Sequence, residues 1–337
     1  MGEALRKERL DRGIKVRTEG IYAISHWQEI LYLLFPRLLL ICGMLLLPVL
    51  FATAPYWQRV ICVMSVFVLL AMAFDFMANI VGLVCLGGAL FVGVGGYITA
   101  LLNTVVGLPP VVSLPLATVG GAVFCTLVLL PTLPLRGIYF AIVTLMYPLV
   151  FSKIIEAFDL FGGTDGMPGV SPLPNQWTEQ YLIIGVALLV LFGLRRLVNE
   201  DIGLVFRGIK DNDQAVRASG INITVFKALA VFLASMLGCF AGAYMAHLYM
   251  WAGLSLFALD FSIMPIAATV IGGGGTLVGA FTGSLILVPL SELLRAFGTL
   301  RIAFYALILT AFIVLKSEGL MVYAQRKYHQ FERWVKV

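Results

Sequence analysis

The chain has 337 residues, a formal net charge of +5, 61% hydrophobic residues and only 12% charged ones, with a mean hydropathy of +0.98. A water-soluble domain covers itself with about 25% charged residues, so this composition excludes an ordinary soluble protein, and the excess of basic residues reads as membrane sidedness, not nucleic-acid binding. Its apolar runs are continuous and do not alternate strictly, which argues against a barrel and for an all-α, polytopic transmembrane helical bundle.

Residues 1–29 read as a cytoplasmic segment, because Arg6, Lys7, Arg9, Arg12, Lys15 and Arg17 satisfy the positive-inside rule. No cleavable signal sequence is evident in them. Membrane spans are expected at 31–51, 59–77, 81–102, 111–131, 137–158, 180–198, 223–250, 258–271, 277–295 and 300–316, for about 8–10 crossings of the ~30 Å hydrocarbon layer. These occupy a transmembrane domain over 30–316, followed by a cytoplasmic tail over 317–337. The third span is rich in glycine and the eighth is short, so broken or re-entrant helices are expected there. Asp75 falls within the second span, where a charge is costly; it is either functional or close enough to the cytoplasmic helix end to reach water. Gly82, Gly87 and Gly88 fit either close helix packing or a pathway wall. Four consecutive glycines, Gly272–Gly275, predict a bend.

Loop charges assign the sides. Residues 159–179 carry Asp159, Asp165 and Glu179 without Lys or Arg, and 251–262 carry only Asp260, so both loops belong outside. Residues 195–227 carry Arg195, Arg196, Arg207, Lys210, Arg217 and Lys227, and the tail carries Lys316, Arg326, Lys327, Arg333 and Lys336, so these belong inside. Both termini are then cytoplasmic; Arg295 and Arg301 fall outside as a mild exception. Cys42, Cys62, Cys85, Cys125 and Cys239 lie singly in apolar segments and read as small hydrophobes. His247 is isolated, with His26 and His329 expected on the other side, so no metal site is expected.

Residues 199–222 form a basic polar stretch between spans. Asp211 followed by Gln214 fits a capping box, and Gly220 can end a helix in the left-handed conformation. The pattern predicts a short helix near 212–219 behind a basic run from Arg207 to Lys210, suited to docking on a soluble motor; a plain solvated connector is the other reading. No GxxxxGK[ST] run occurs in the chain, so ATP hydrolysis is expected on another polypeptide and no enzyme activity in this one.

At Arg207-Gly208-Ile209-Lys210-Asp211-Asn212-Asp213-Gln214-Ala215, with Gly220 and Ile221 following, the sequence resembles the inner-membrane permeases of branched-chain amino acid ABC importers, the LivM type. Leu135–Ala141, Gly162–Gly169 and Ile271–Gly279 resemble further motifs of that family in the same order. The resemblance implies a permease subunit of an ATP-driven, binding-protein-dependent importer in the bacterial inner membrane. It also implies a second related permease, two cytoplasmic ATPase subunits that bind ATP and Mg, and a periplasmic binding protein, with no cofactor in this chain. It makes Arg207, Lys210, Asp211, Asp213, Ala215 and Gly220 the ATPase-coupling residues. Where the family carries Gln, Ser and His in its third span, this chain has Leu83, Cys85 and Gly88, a more apolar wall. With Asp75, Gly273 and Gly274, these are the candidate translocation-path residues. The resemblance implies as solute a branched-chain or other hydrophobic amino acid, or else another small organic compound such as a urea or amide, an aromatic or another carboxylate. An ATP-independent secondary transporter or channel is the reading from a different class.

Overall fold

The computed structural model describes residues 5–9, 27–135, 137–298, 300, 307, 310, 319–321, 323 and 332–336. The expected span at 300–316, apart from isolated positions, and most of both terminal segments lie outside the described residues, together with His26, His329 and Arg301.

The protein is a multi-pass helical membrane bundle. Among the described residues the α-helices are α1 (Trp27–Leu50), α2 (Pro55–Asp75), α3 (Gly88–Thr104), α4 (Pro110–Leu129), α5 (Ile138–Ala157), α6 (Gln176–Asn199), α7 (Asp201–Asp211), α8 (Asp213–Ala218), α9 (Ile223–Tyr249), α10 (Asp260–Gly272) and α11 (Val278–Leu293). Nine of the ten expected spans thus coincide with helices. Among the described residues, five segments are long and apolar enough to cross a membrane: Pro55–Val81, Pro110–Thr132, Ile138–Ala157, Gln176–Asn199 and Ile223–Tyr249. Local chemistry sets several starts. Pro55 and Pro110 occupy first-turn positions where a missing N–H costs nothing, and the Asn222 side chain caps α9 by accepting from the Thr224 N–H at 3.2 Å.

Burial separates an inner layer from an outer one. The most apolar window of α2 is 89% buried inside the protein, whereas that of α5 is only 28% buried, so α2 forms the axis and α5 lies on the outside of the bundle. Leu116, Leu127, Ile142, Val150 and Leu189 are all exposed on α4, α5 and α6, as a hydrocarbon solvent requires. Around α2 pack α6, α9, α10 and α11, and α3 packs on α9 and α4. At Gly95 and Gly242 the α3 and α9 backbones approach so closely that an added Cβ would strike the Cys239 and Val92 carbonyls. Close packing is therefore one use of these glycines.

Two features break the regular pattern. The expected third span over 81–102 begins as a helix only at Gly88, because Gly82 (φ +83°) terminates a π-helical turn over Phe76–Val81 and residues 82–87 are non-helical. Such backbone survives at membrane depth only when its polar groups find protein partners, and the Leu86 N–H donates to Thr144 Oγ1 at 3.0 Å. The second feature is the α10–α11 hairpin. Helices of 13 and 16 residues reach only about 20 and 24 Å at 1.5 Å per residue, and the glycine run supplies the tip between them.

Short strands tie loops together. β1 (Leu5–Arg9) pairs antiparallel with β4 (Glu332–Lys336), and β2 (Met167–Pro168) with β3 (Trp251–Ala252). The second pair, with the Trp251 Nε1–H donating to the Asp165 carbonyl at 3.0 Å, puts the two acidic loops at one end of the bundle. The first pair makes residues 5–9 a strand.

Candidate functional site

Residues 199–222 fold as two helices, not one. The basic run from Arg207 to Lys210 lies within α7, so Arg207, Lys210 and Asp211 are helical, and Asp211 is not the cap of the next helix. Asn212 is: it breaks the chain direction with φ −159° and ψ 100°, and its Oδ1 accepts from the Gln214 and Ala215 N–H groups at 3.0 and 3.2 Å. The capping-box reading misassigned the cap by one residue because both residues are competent acceptors and only backbone geometry chooses between them. α8 carries Asp213 and Ala215 and ends before Gly220, which takes φ +87° as expected.

This pair of helices is fastened to the bundle in three places. On α7, Phe206 is fully buried between Phe76 and Phe226, with ring centroids 5.5 and 6.2 Å away. Lys210 Nζ donates to the Asn79 carbonyl of the π-helical turn at 2.7 Å. Gly82 packs so tightly against Lys210 that a Cβ there would lie 2.9 Å from the Lys210 Cα. On α8, Asp213 forms an ion pair with Lys227 of α9 at 2.8 Å, the two side chains only 17% and 8% exposed. No α8 residue is buried, so the helix is an exposed projection held from beneath. Sequence reading counted Lys227 only as an inside charge and did not single out Asn79 or Asn212.

Asp75 does not reach water. It is fully buried; its Oδ1 accepts from the Gly275 N–H at 2.6 Å and from Asn79 Nδ2 at 2.7 Å, while Oδ2 accepts from the Leu277 N–H at 2.8 Å. The carboxylate thus clamps the α10–α11 tip to the end of α2. Leu277 adopts φ +56°, a costly conformation for a branched side chain that the clamp helps to hold. Gly273 and Gly274 lie in this tip, Gly274 against the Asn79 amide. Of the six path candidates, the structure brings Asp75, Gly273 and Gly274 together.

Leu83, Cys85 and Gly88 lie on the non-helical segment and at the start of α3, all buried or half-buried. Cys85 and Gly88 line a void of about 20 Å³ with Leu70, Phe74, Phe91 and Phe261. A larger cavity of about 590 Å³ lies at the opposite end of the bundle from α7–α8, between the N-terminal half of α2, the end of α9, the start of α10 and the end of α11. Sequence reading did not find it, since its walls come from three separated stretches, 63–67, 245–264 and 288–292.

Among the described residues, no group of three or more His, Cys, Asp or Glu side chains could hold a metal ion. His247 is fully buried with both ring nitrogens engaged: Nδ1–H donates to the Ser171 carbonyl at 2.7 Å and Nε2 lies 3.0 Å from Ser113 Oγ. A carbonyl can only accept, so the ring joins α4, α9 and the 159–175 loop as a structural cross-brace. All five cysteines are free.

Comparison with known proteins agrees with this architecture. The family described as branched-chain amino acid transport system / permease component matches residues 56–316. The chain is 24% identical over 287 residues to the high-affinity branched-chain amino acid transport system permease protein LivM of Salmonella typhimurium, covering 76% of this chain and 68% of that protein. It has the same 24% identity over 288 residues to Escherichia coli LivM, with the same coverage, and 25% over 243 residues to a probable LivM of Methanocaldococcus jannaschii, covering 64% and 70%. No solved structure gives a significant match. A family match over most of the bundle, together with the apolar helices, places the protein: this chain belongs to the branched-chain amino acid transport permease family.

Proposed function

We propose that the chain is one transmembrane permease subunit of an ATP-driven, binding-protein-dependent ABC importer of the bacterial inner membrane, working on branched-chain or other hydrophobic amino acids. Its partners in this reading are a second related permease, two cytoplasmic ATPase subunits that bind ATP and Mg, and a periplasmic binding protein. The observation that carries it is the exposed α8 helix, pinned to α9 by the Lys227–Asp213 pair and continuous with α7, which grips the end of α2. A six-residue helix with no buried side chain gains little from projecting into water alone. Seated in a cleft of a soluble motor, it passes displacement to α9 through the ion pair and to α2 through Lys210 and Phe206. Arg207, Lys210, Asp211, Asp213, Ala215 and Gly220 then act as the coupling residues, both termini lie in the cytoplasm, and hydrolysis takes place on the partner subunits.

The apolar character of Leu83, Cys85 and Gly88 favours a solute with an apolar side group; a small amide, aromatic or carboxylate compound remains the alternative within the same importer class. An ATP-independent secondary transporter finds less support, because the oxygens of Asp75 are already occupied by Gly275, Leu277 and Asn79 and offer no free ion site.

The test is copurification. A cytoplasmic ATPase is expected to come down with the wild-type chain and to be lost when residues 211–217 are scrambled. Transport of solute into vesicles by the purified chain alone, without ATP, would refute the assignment.

A further inference from the structure

The 590 Å³ cavity is within the range of small-molecule sites and has a distinctive wall. Val63, Phe67, Met264 and Val288 make it apolar, and two carboxylates stand at its rim, Asp260 and Glu292. Glu292 is already occupied: it accepts from the Tyr56 hydroxyl and from Arg295 at 2.8 Å. Asp260 is exposed and, among the described residues, has no hydrogen bond or ion pair. An unpaired anion above an apolar chamber is complementary to a cationic group attached to an apolar side group.

The floor of the cavity is the ring of Phe261, stacked on Phe67 with centroids 5.6 Å apart and planes at 15°. Phe261 also lines the 20 Å³ void bordered by Cys85 and Gly88 and is the residue common to the two spaces. The backbone beneath this ring is gripped by the broken helix. A Cβ on Gly88 would lie 2.6 Å from the Phe261 carbonyl, and the Ala89 N–H donates to Ser262 Oγ at 3.0 Å. The non-helical segment 82–87 leads from there to Gly82, packed on Lys210 of α7. A continuous chain of contacts therefore joins α7 to the floor.

We propose that this cavity is a solute-binding site inside the single chain, for a small compound bearing a cationic amino group beside an apolar side group, with Asp260 as its counter-charge and Phe261 as the ring that closes it from the interior. The proposal rests on the permease reading for its solute, but its test needs neither ATP nor a partner, so the two fail separately.

The test uses the full chain in membrane vesicles, with Cys42, Cys62, Cys125 and Cys239 replaced by Ser so that Cys85 is the remaining thiol, and a membrane-impermeant cationic methanethiosulfonate as the probe. Cys85 is expected to be unreactive with Phe261 in place and to label at least tenfold faster in Phe261→Ala. Phe261→Leu, which keeps an apolar side chain and protects the fold, is expected to show an intermediate rate. Equal Cys85 rates in all three forms would overturn the role of Phe261. In a second arm, with Cys85 also replaced by Ser, Met264→Cys is expected to label readily. Leucine should slow that reaction more than 4-methylpentanoate does, and Asp260→Asn should abolish the difference. Labelling of Met264→Cys that is blind to both compounds, or a preference unchanged in Asp260→Asn, would overturn the site.

Discussion

Replacing Lys227 with Met removes the cation that holds α8 against α9. A fully exposed ion pair contributes at most about 1 kcal/mol, whereas removing one partner of a buried pair costs about 3–5 kcal/mol. Here Lys227 is 8% exposed and Asp213 17%, so the pair lies between these limits. Asp213 can recover some hydration and has a further interaction of its own, which lowers the expected loss to about 2 kcal/mol, roughly thirtyfold in a local equilibrium. α8 has no buried residue to offset that loss, so the effect should be confined to its own opening. Hydrogen exchange of the purified chain, read on a peptide covering 212–220, is expected to accelerate about thirtyfold in Lys227→Met and similarly in Asp213→Asn. The double variant should be little worse than either single one. Reversing both charges should restore only part of the protection, because a Lys in the first turn of α8 opposes the helix dipole. Acceleration below threefold in both single variants would refute the idea that this pair secures the helix.

Two further perturbations probe the framework. Asp75→Asn leaves the shape of the clamp nearly unchanged but turns an amide N–H₂ toward the Gly275 or the Leu277 N–H; with a buried donor unsatisfied and Leu277 at positive φ, a loss of about 2–4 kcal/mol is expected, and an unchanged melting temperature in detergent would contradict the clamp. Gly95→Ala drives a Cβ into the Cys239 carbonyl, while Gly120→Ala meets nothing within 4 Å; the first should cost about 1–3 kcal/mol and the second almost nothing, and equal thermal stability for the two would contradict the α3–α9 contact.

The route from α8 to the interior combines these parts. Lys227 and Asp213 couple α8 to α9, Phe206 and Lys210 couple α7 to the π-helical turn, and Asn79 and Asp75 continue from that turn to the hairpin tip. A π-helical turn is a common mark of functional sites, and here it lets Asn79 offer its carbonyl to Lys210 and its amide to Asp75 at once.

Hydropathy and charge, which depend on each residue's own transfer free energy, were enough to determine that the chain is a helical membrane protein. Hydropathy also placed nine of its helices, and the glycines marked the broken third helix, the bend after α10 and the left-handed stop at Gly220. Tertiary structure decided what these marks do. Asp75 looked like an isolated charge in an apolar span because its partners, Gly275 and Leu277, lie about two hundred residues away and are backbone groups with no signature in sequence. The Asp213 partner lies fourteen residues off on another helix, and the large cavity is assembled from three segments that only packing brings together. Local preferences are encoded residue by residue, whereas clamps, ion pairs and cavities are relations between distant residues and exist only once the chain has closed on itself.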